Sequence, residues 1–284
     1  MEGKIIKIIS NCYTVESNNK KYECRASGKL RYNKTSPLVG DIVIFNNKEN
    51  YIENILPRRN ELDRPSIANI DSALIVTSVK KPDLSLNLLD KQLSLCIINK
   101  IEPIIVFTKL DLLKNKEKKY IKSIMKYYSN INIRVCTNNN LYKLKRYIKN
   151  KTLVLTGQTG AGKSSLLNKL DKNLNLATNE ISEALGRGKH TTRHTELFLY
   201  KNSFIADTPG FSSLDLNNIT IDDIKSSFNE FKNVACPYKD CTHTKEKECK
   251  IKELVNSKKI MKSRYENYLG LVRDYGNSRI ISKK

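Results

Sequence analysis

The sequence predicts a multidomain α/β protein with three parts in a row. These are a small N-terminal β-barrel over residues 1–62, a mostly parallel sheet covered by helices over 63–216, and a helical C-terminal domain over 217–284. Three observations predict it. Short apolar runs separated by polar turns fill the first 62 residues. From about residue 70, strand-like and helix-like runs alternate, as in a parallel sheet with crossover helices. After about 216 the strand-like runs stop, and Cys236, Cys241, His243 and Cys249 fall within 14 residues between two helical stretches.

The elements follow in order. Residues 4–9, 22–26, 41–45 and 51–55 read as strands. Five or so short strands in this length suggest an OB-fold-like barrel, with an SH3-like barrel as the alternative. Next come a strand at 73–79, a helix at 86–98, a strand at 104–107, a helix at 118–128 and a strand at 131–135. A strand at 153–155 leads into a helix at 164–170 through a Gly-rich turn, and 204–206 is a further strand. Residues 222–231 and 250–274 read as helices around the Cys/His cluster.

Composition narrows the class. A hydrophobic fraction of 39% and a charged fraction of 28% suit a soluble globular chain. No apolar run approaches the roughly 20 residues that span a bilayer. The first residues lack a secretory apolar region and an Arg/Ser-rich transit pattern. A cytoplasmic monomer with no membrane partner is expected. The net charge of +22 attracts polyanions, nucleic acid above all. Lys, Asn and Ile are abundant throughout, so compositional drift is the alternative source of part of the excess. Cys12, Cys24, Cys96 and Cys136 lie in apolar stretches and are expected to be buried free thiols.

The chemistry is carried by four motifs. Gly157, Gln158, Thr159, Gly160, Ala161, Gly162, Lys163 and Ser164, followed by Ser165, form a phosphate-binding loop between a strand and a helix. Its glycines let successive N–H groups point at a β-phosphate, Lys163 adds charge, and the Ser164 hydroxyl can ligate Mg²⁺. Asp207-Thr208-Pro209-Gly210 follows a strand 44 residues after Lys163. There Asp207 can hold Mg²⁺, and the Gly210 N–H can sense a γ-phosphate. Thr108-Lys109-Leu110-Asp111 has the form of a guanine reader. Its carboxylate can accept from the guanine N1–H and N2 amino groups, a donor pair that adenine lacks. The Lys109 stem can cover the base, and Val135-Cys136-Thr137 can back it through main-chain atoms. In ordinary GTPases the phosphate loop precedes the guanine reader. Here it follows, so the chain reads as a circularly permuted P-loop GTPase.

Residues 186–194, Gly-Arg-Gly-Lys-His-Thr-Thr-Arg-His, lie between those two loops, where a switch belongs. Either Thr191 or Thr192 can bind Mg²⁺ and the γ-phosphate. Phe211 occupies the position after the DTPG motif, where many GTPases carry Gln, so another group must orient water. His190 is the candidate; contact with phosphate or RNA is its alternative role. Cys236, Cys241, His243 and Cys249 supply three thiolates and one imidazole, a closed tetrahedral set for one structural Zn²⁺.

Together these residues resemble the RsgA family of circularly permuted GTPases over nearly the whole chain. The resemblance rests on the stretches at 64–71, 86–90, 186–197 and 207–216, the Cys/His spacing and Ser263-Arg264-Tyr265. It implies an OB-fold, a permuted GTPase domain and a C-terminal zinc domain. It also implies GTP hydrolysis stimulated by the small ribosomal subunit, binding to its rRNA, and a catalytic His190. An RNA-binding factor that uses GTP only as a clamp is the alternative.

Overall fold

The structure is a computed structural model that describes residues 1–28, 30, 36–63, 66–171, 196–207 and 219–281. The first part is a closed barrel of β1 (Glu2–Ile9), β2 (Cys12–Ser17), β3 (Lys20–Ala26), β4 (Ile42–Asn46) and β5 (Tyr51–Ile55). Its strand order is β1-β2-β3-β5-β4, with β3 and β5 parallel, and β1 pairs with β4 to close it. That is the OB arrangement. Alternation along each strand points Ile5, Tyr13, Val15, Cys24, Val43, Phe45 and Ile52 inward. A short hairpin of β6 (Glu61–Asp63) and β7 (Ser66–Ala68) leads out of the barrel.

The second part is a six-stranded sheet. Its strands are β8 (Ser72–Ser78), β9 (Glu102–Thr108), β10 (Arg134–Thr137), β11 (Thr152–Thr156), β12 (Leu197–Tyr200) and β13 (Ser203–Asp207), ordered β10-β9-β8-β11-β13-β12. All neighbours are parallel except β12, which runs antiparallel to β13. The central strands are almost unbroken apolar runs because both faces are covered. Ala73, Ile75, Ile105 and Phe107 enter one core cluster, and Leu74, Val76, Ile104 and Val106 enter the other. Helices α1 (Leu86–Ile98) and α2 (Asn115–Asn130) pack into the first; α3 (Leu141–Ile148) and α4 (Lys163–Leu170) pack into the second.

Barrel and sheet meet along β1. Ile6 joins the first cluster, Lys4 Nζ donates to Thr152 Oγ1 at 2.6 Å, and Lys7 pairs with Glu196 at 2.9 Å.

The third part holds α5 (Ile221–Ser226), a 3₁₀ turn at Asn229–Phe231, α6 (Lys250–Asn256) and α7 (Lys262–Ile281). The single helix expected over 250–274 is two. Lys258 takes a left-handed φ of 60°, and the Lys259 and Ile260 amides both donate to Leu254 O. This ends α6 and turns Ile260 into the C-terminal core. The strand expected at 131–135 begins later, because Ile131 caps α2 and Asn132 is left-handed.

A buried polar network ties α7 to α1 and α2, the helices that cover one face of the sheet. The Arg264 guanidinium donates to Asp90 Oδ1 at 2.7 Å and to both Glu230 oxygens at 2.7 and 3.0 Å. Tyr128 Oη and Asn267 Nδ2 also donate to the Asp90 carboxylate, each at 2.6 Å. Burial raises the Asp90 carboxyl above its ordinary value, and Arg264, Tyr128 and Asn267 offset part of that rise. Burial would raise Glu230 as well, but bonding and charge from Arg264 bring it below its ordinary value. An Arg264→Met chain is expected to lose about 3–5 kcal/mol at neutral pH, since two buried carboxylates would lack their cation. Both carboxyls would then titrate above their unfolded values, so the folded state would take up protons first as pH falls. The loss should therefore be full at high pH and shrink on acidification. Urea midpoints at pH 8 and pH 5 check this; equal losses at both would mean the carboxyls keep other partners.

Candidate functional site

The site lies at the C-terminal ends of β8, β9, β11 and β13, the usual ligand edge of a parallel sheet. β11 runs into the phosphate loop. Gly157, Gly160 and Gly162 have φ values of +136°, +75° and +95°. A Cβ on Gly157 would stand 2.0 Å from Val76 O, so no other residue fits there. Gly162 is the left-handed N-cap of α4, whose N-terminus follows directly on the loop. Lys163 Nζ donates to Gly157 O at 2.8 Å and to Gln158 O at 3.0 Å, folding its charge over the loop. Ser164 is half-buried in the first turn of α4, and Ser165 is exposed.

β9 delivers the second motif beside the first. The Thr108 hydroxyl donates to Ala161 O at 2.6 Å, joining two loops 53 residues apart. Lys109 is left-handed, with φ 60°, and its ammonium bonds Lys81 O. The 3₁₀ turn Leu110–Leu112 follows and leaves Asp111 exposed. Val135, Cys136 and Thr137 lie in β10, one strand outward, with Thr137 in register with Phe107. Cys136 is buried, and burial pushes its thiol up to about 12.

Asp207 ends β13 in register with Leu155 of β11, at the same edge of the sheet. The side chain of Asp207 and the residues Thr208, Pro209, Gly210, Phe211, His190, Thr191, Thr192 and His194, to which the sequence assigns switch roles, lie outside the described residues. One brace was invisible from sequence: Gln92 Nε2 of α1 donates to Thr156 Oγ1 at 3.0 Å in the core, at the root of the phosphate loop.

The Cys/His cluster folds as a metal centre would require. The ligand atoms of Cys236, Cys241, His243 and Cys249 all lie within 4.8 Å of one another. His243 Nδ1 sits 3.5 Å from Cys236 Sγ and 3.4 Å from Cys249 Sγ. Tetrahedral Zn²⁺ with bonds of about 2.3 Å to sulfur and about 2.0–2.1 Å to nitrogen needs sulfur–nitrogen separations of about 3.6 Å. The residues therefore fit the ion. Burial, helped by the charge of Lys225, holds the His243 imidazole below its ordinary range, in the neutral form that ligation needs. Burial pushes the Cys241 thiol up to about 12, so a packed set of thiolates calls for a cation.

Glu246, inside the same spacing, is a residue that ligand counting missed. Its carboxylate accepts from the Thr242 amide and hydroxyl and the Thr244 amide, each at 2.8 Å. Burial would raise this carboxyl, but those donors bring it down to about 2. Tyr265 Oη then holds His243 O at 2.8 Å.

A phosphate loop on a parallel sheet, preceded in the chain by a T-K-x-D turn that locks onto it, defines a P-loop GTPase in circularly permuted order. The family model described as RsgA GTPase matches residues 55–217, and that of the RsgA N-terminal domain matches 2–52. The chain is 41% identical to a protein of Latilactobacillus sakei named small ribosomal subunit biogenesis GTPase RsgA, over 99% of this chain and 98% of that one. It is 45% identical to the Bacillus velezensis protein of the same name, over 94% of this chain and 95% of that one. The crystal structure of YloQ, a circularly permuted GTPase, superposes with a TM-score of 0.83 at 35% identity, covering 98% of this chain and 95% of that one. The chain belongs to the RsgA GTPase family and is a GTP hydrolase. Among the described residues, no helix is long and apolar enough to cross a membrane.

Proposed function

We propose that this chain acts in the maturation of the small ribosomal subunit, hydrolysing GTP faster when bound to the subunit and its rRNA and leaving once hydrolysis is done. The observation that carries the nucleotide chemistry is the 2.6 Å bond from Thr108 to Ala161, which sets the Asp111 turn against the phosphate loop at one edge of the sheet, and the relatives named for small-subunit biogenesis support the partner. There Asp111 accepts from guanine, the Lys109 stem covers the base, and the amides of the Gly157–Gly162 loop with Lys163 hold the phosphates. Ser164 and Asp207, with Thr191 or Thr192, would hold Mg²⁺, which neutralises charge on the β- and γ-phosphate oxygens when bound. Gly210 meets the γ-phosphate, and His190 orients the attacking water. Residues 1–62, 63–216 and 217–284 serve as barrel, GTPase and zinc domains. The chain works as a cytoplasmic monomer with one structural Zn²⁺.

The test is GTP and ATP turnover by the purified chain, alone and with isolated small subunits. Subunits should raise GTP turnover strongly and leave ATP untouched. His190→Ala should keep GTP binding and lose the stimulation; stimulation retained would reassign His190. No stimulation of the parent chain would leave a nucleotide-dependent clamp, and a preference for ATP would overturn the role of Asp111.

A further inference from the structure

The charge is not spread evenly along the chain. Residues 109–151 hold 13 Lys/Arg against 2 Asp/Glu, a net +11 that is half of the chain's +22. The barrel residues 1–62 hold 11 against 7. Compositional drift would load the two alike, so the excess marks a surface.

The fold gathers this charge at one edge of the central sheet. β10 is the terminal strand. α2 packs against one face through Ile121, Ile124 and Tyr128, and α3 against the other through Leu144 and Ile148. Their outer faces are cationic. Lys118, Lys122 and Lys126 recur every fourth residue on α2, all exposed and about 6 Å apart along the axis. Lys145, Arg146 and Lys149 are exposed on and just after α3. None of the six forms an ion pair among the described residues. Tyr142 of α3 is 81% exposed and Tyr120 of α2 is 59% exposed, which adds two open aromatic rings.

Unpaired cations release counterions when phosphates replace them, and the hydroxyls of exposed tyrosines can donate to phosphate oxygens. A lipid surface fits poorly, because it needs its cations and apolar groups in one plane. Here they wrap both sides of a strand edge. We propose that this edge is an RNA-binding surface that grips the sugar–phosphate backbone of an RNA helix. The inference rests on the small-subunit reading for the source of the RNA, and it assigns the main electrostatic contact to the β10 edge rather than to the barrel. Since α2 starts four residues after Asp111, RNA held there lies next to the turn that carries Asp111.

Two full-length variants test it: Lys118, Lys122 and Lys126 changed together to Gln, and Lys145, Arg146 and Lys149 changed together to Gln. Binding to isolated small subunits, and to a naked RNA duplex, is measured over a salt series with a non-hydrolysable GTP analogue. Each variant should flatten the slope of log K against log salt by about 2–3 and weaken binding about ten- to a hundredfold near 0.1 M salt. Its melting temperature should match the parent's. Parent-like slopes on both RNAs would overturn the surface even where the parent binds subunits well. A parent that binds the duplex but not the subunits would sink the small-subunit reading and leave the surface standing, provided the variants lose the duplex. Variants that keep RNA binding but lose adhesion to phosphatidylserine vesicles would overturn the proposal in favour of a membrane surface.

Discussion

Changing Asp111 to Asn should weaken GTP binding about a hundred- to a thousandfold and turn the pocket towards xanthine nucleotides. A carboxylate on the 3₁₀ turn accepts two hydrogen bonds from the guanine N1–H and N2 amino groups. Hydrogen bonds to a charged group contribute roughly 1.5–3 kcal/mol each. An Asn amide keeps one acceptor but turns its NH₂ towards the N2 amino group, donor against donor. Xanthine carries a carbonyl at that position and restores the pair. A site built around a specific donor pair rejects the analogue that lacks it, because its own polar group is left unpaired. The change is nearly isosteric at an exposed position, and the Thr108–Ala161 bond that positions the turn does not involve Asp111. Folding should therefore be unaffected. Competition between labelled GDP and unlabelled GDP or XDP measures the switch. A GTP affinity within about threefold of the parent's would mean Asp111 does not touch the base.

Much of the pocket was legible in the sequence because phosphate recognition uses backbone amides, and the turn that presents them demands glycine at positions such as Gly157. The zinc ligands were legible for a similar reason, since four ligands within 14 residues leave few geometries other than a single ion. The supports were hidden. Arg264 meets Asp90 across 174 positions and Glu230 across 34, and no local pattern encodes such a meeting. Gln92 reads as one more polar residue on a helix until the fold brings Thr156 under it. α3 is only eight residues long, too short for its period to stand out from the surrounding lysines. The break after α6 carries no Gly or Pro. It forms because burying Ile260 outweighs the strain of a left-handed Lys258. The basic edge was present as composition, yet only the placement of α2 and α3 on either side of β10 made it one surface.

Removing the zinc ion should have the largest structural effect of any single perturbation, and it should be local. Structural zinc supplies apparent folding free energies of about 10–16 kcal/mol in isolated finger peptides. Here the cluster sits beside Phe228 and Phe231, which stack on each other and meet Tyr268 edge to face, an apolar packing that supplies stability besides the metal. α7 is held from two sides. Arg264 and Asn267 reach Asp90 on α1, while Tyr265 and Tyr268 hold the backbone carbonyls of His243 and Thr242 in the ligand loop. A chelated chain, or Cys241→Ser, should thus release residues 236–256 and leave the first turns of α7 docked on α1. Bound zinc should fall from one per chain to near zero, and hydrogen-exchange protection should vanish over 236–256 but persist over 262–270. GTP affinity should stay within a few-fold, because the phosphate loop shares no side-chain contact with the cluster among the described residues. Unchanged zinc content in Cys241→Ser would remove Cys241 from the ligand set. Protection lost equally over α7 would show instead that the ion, and not the Arg264 network, holds the C-terminal helix on α1.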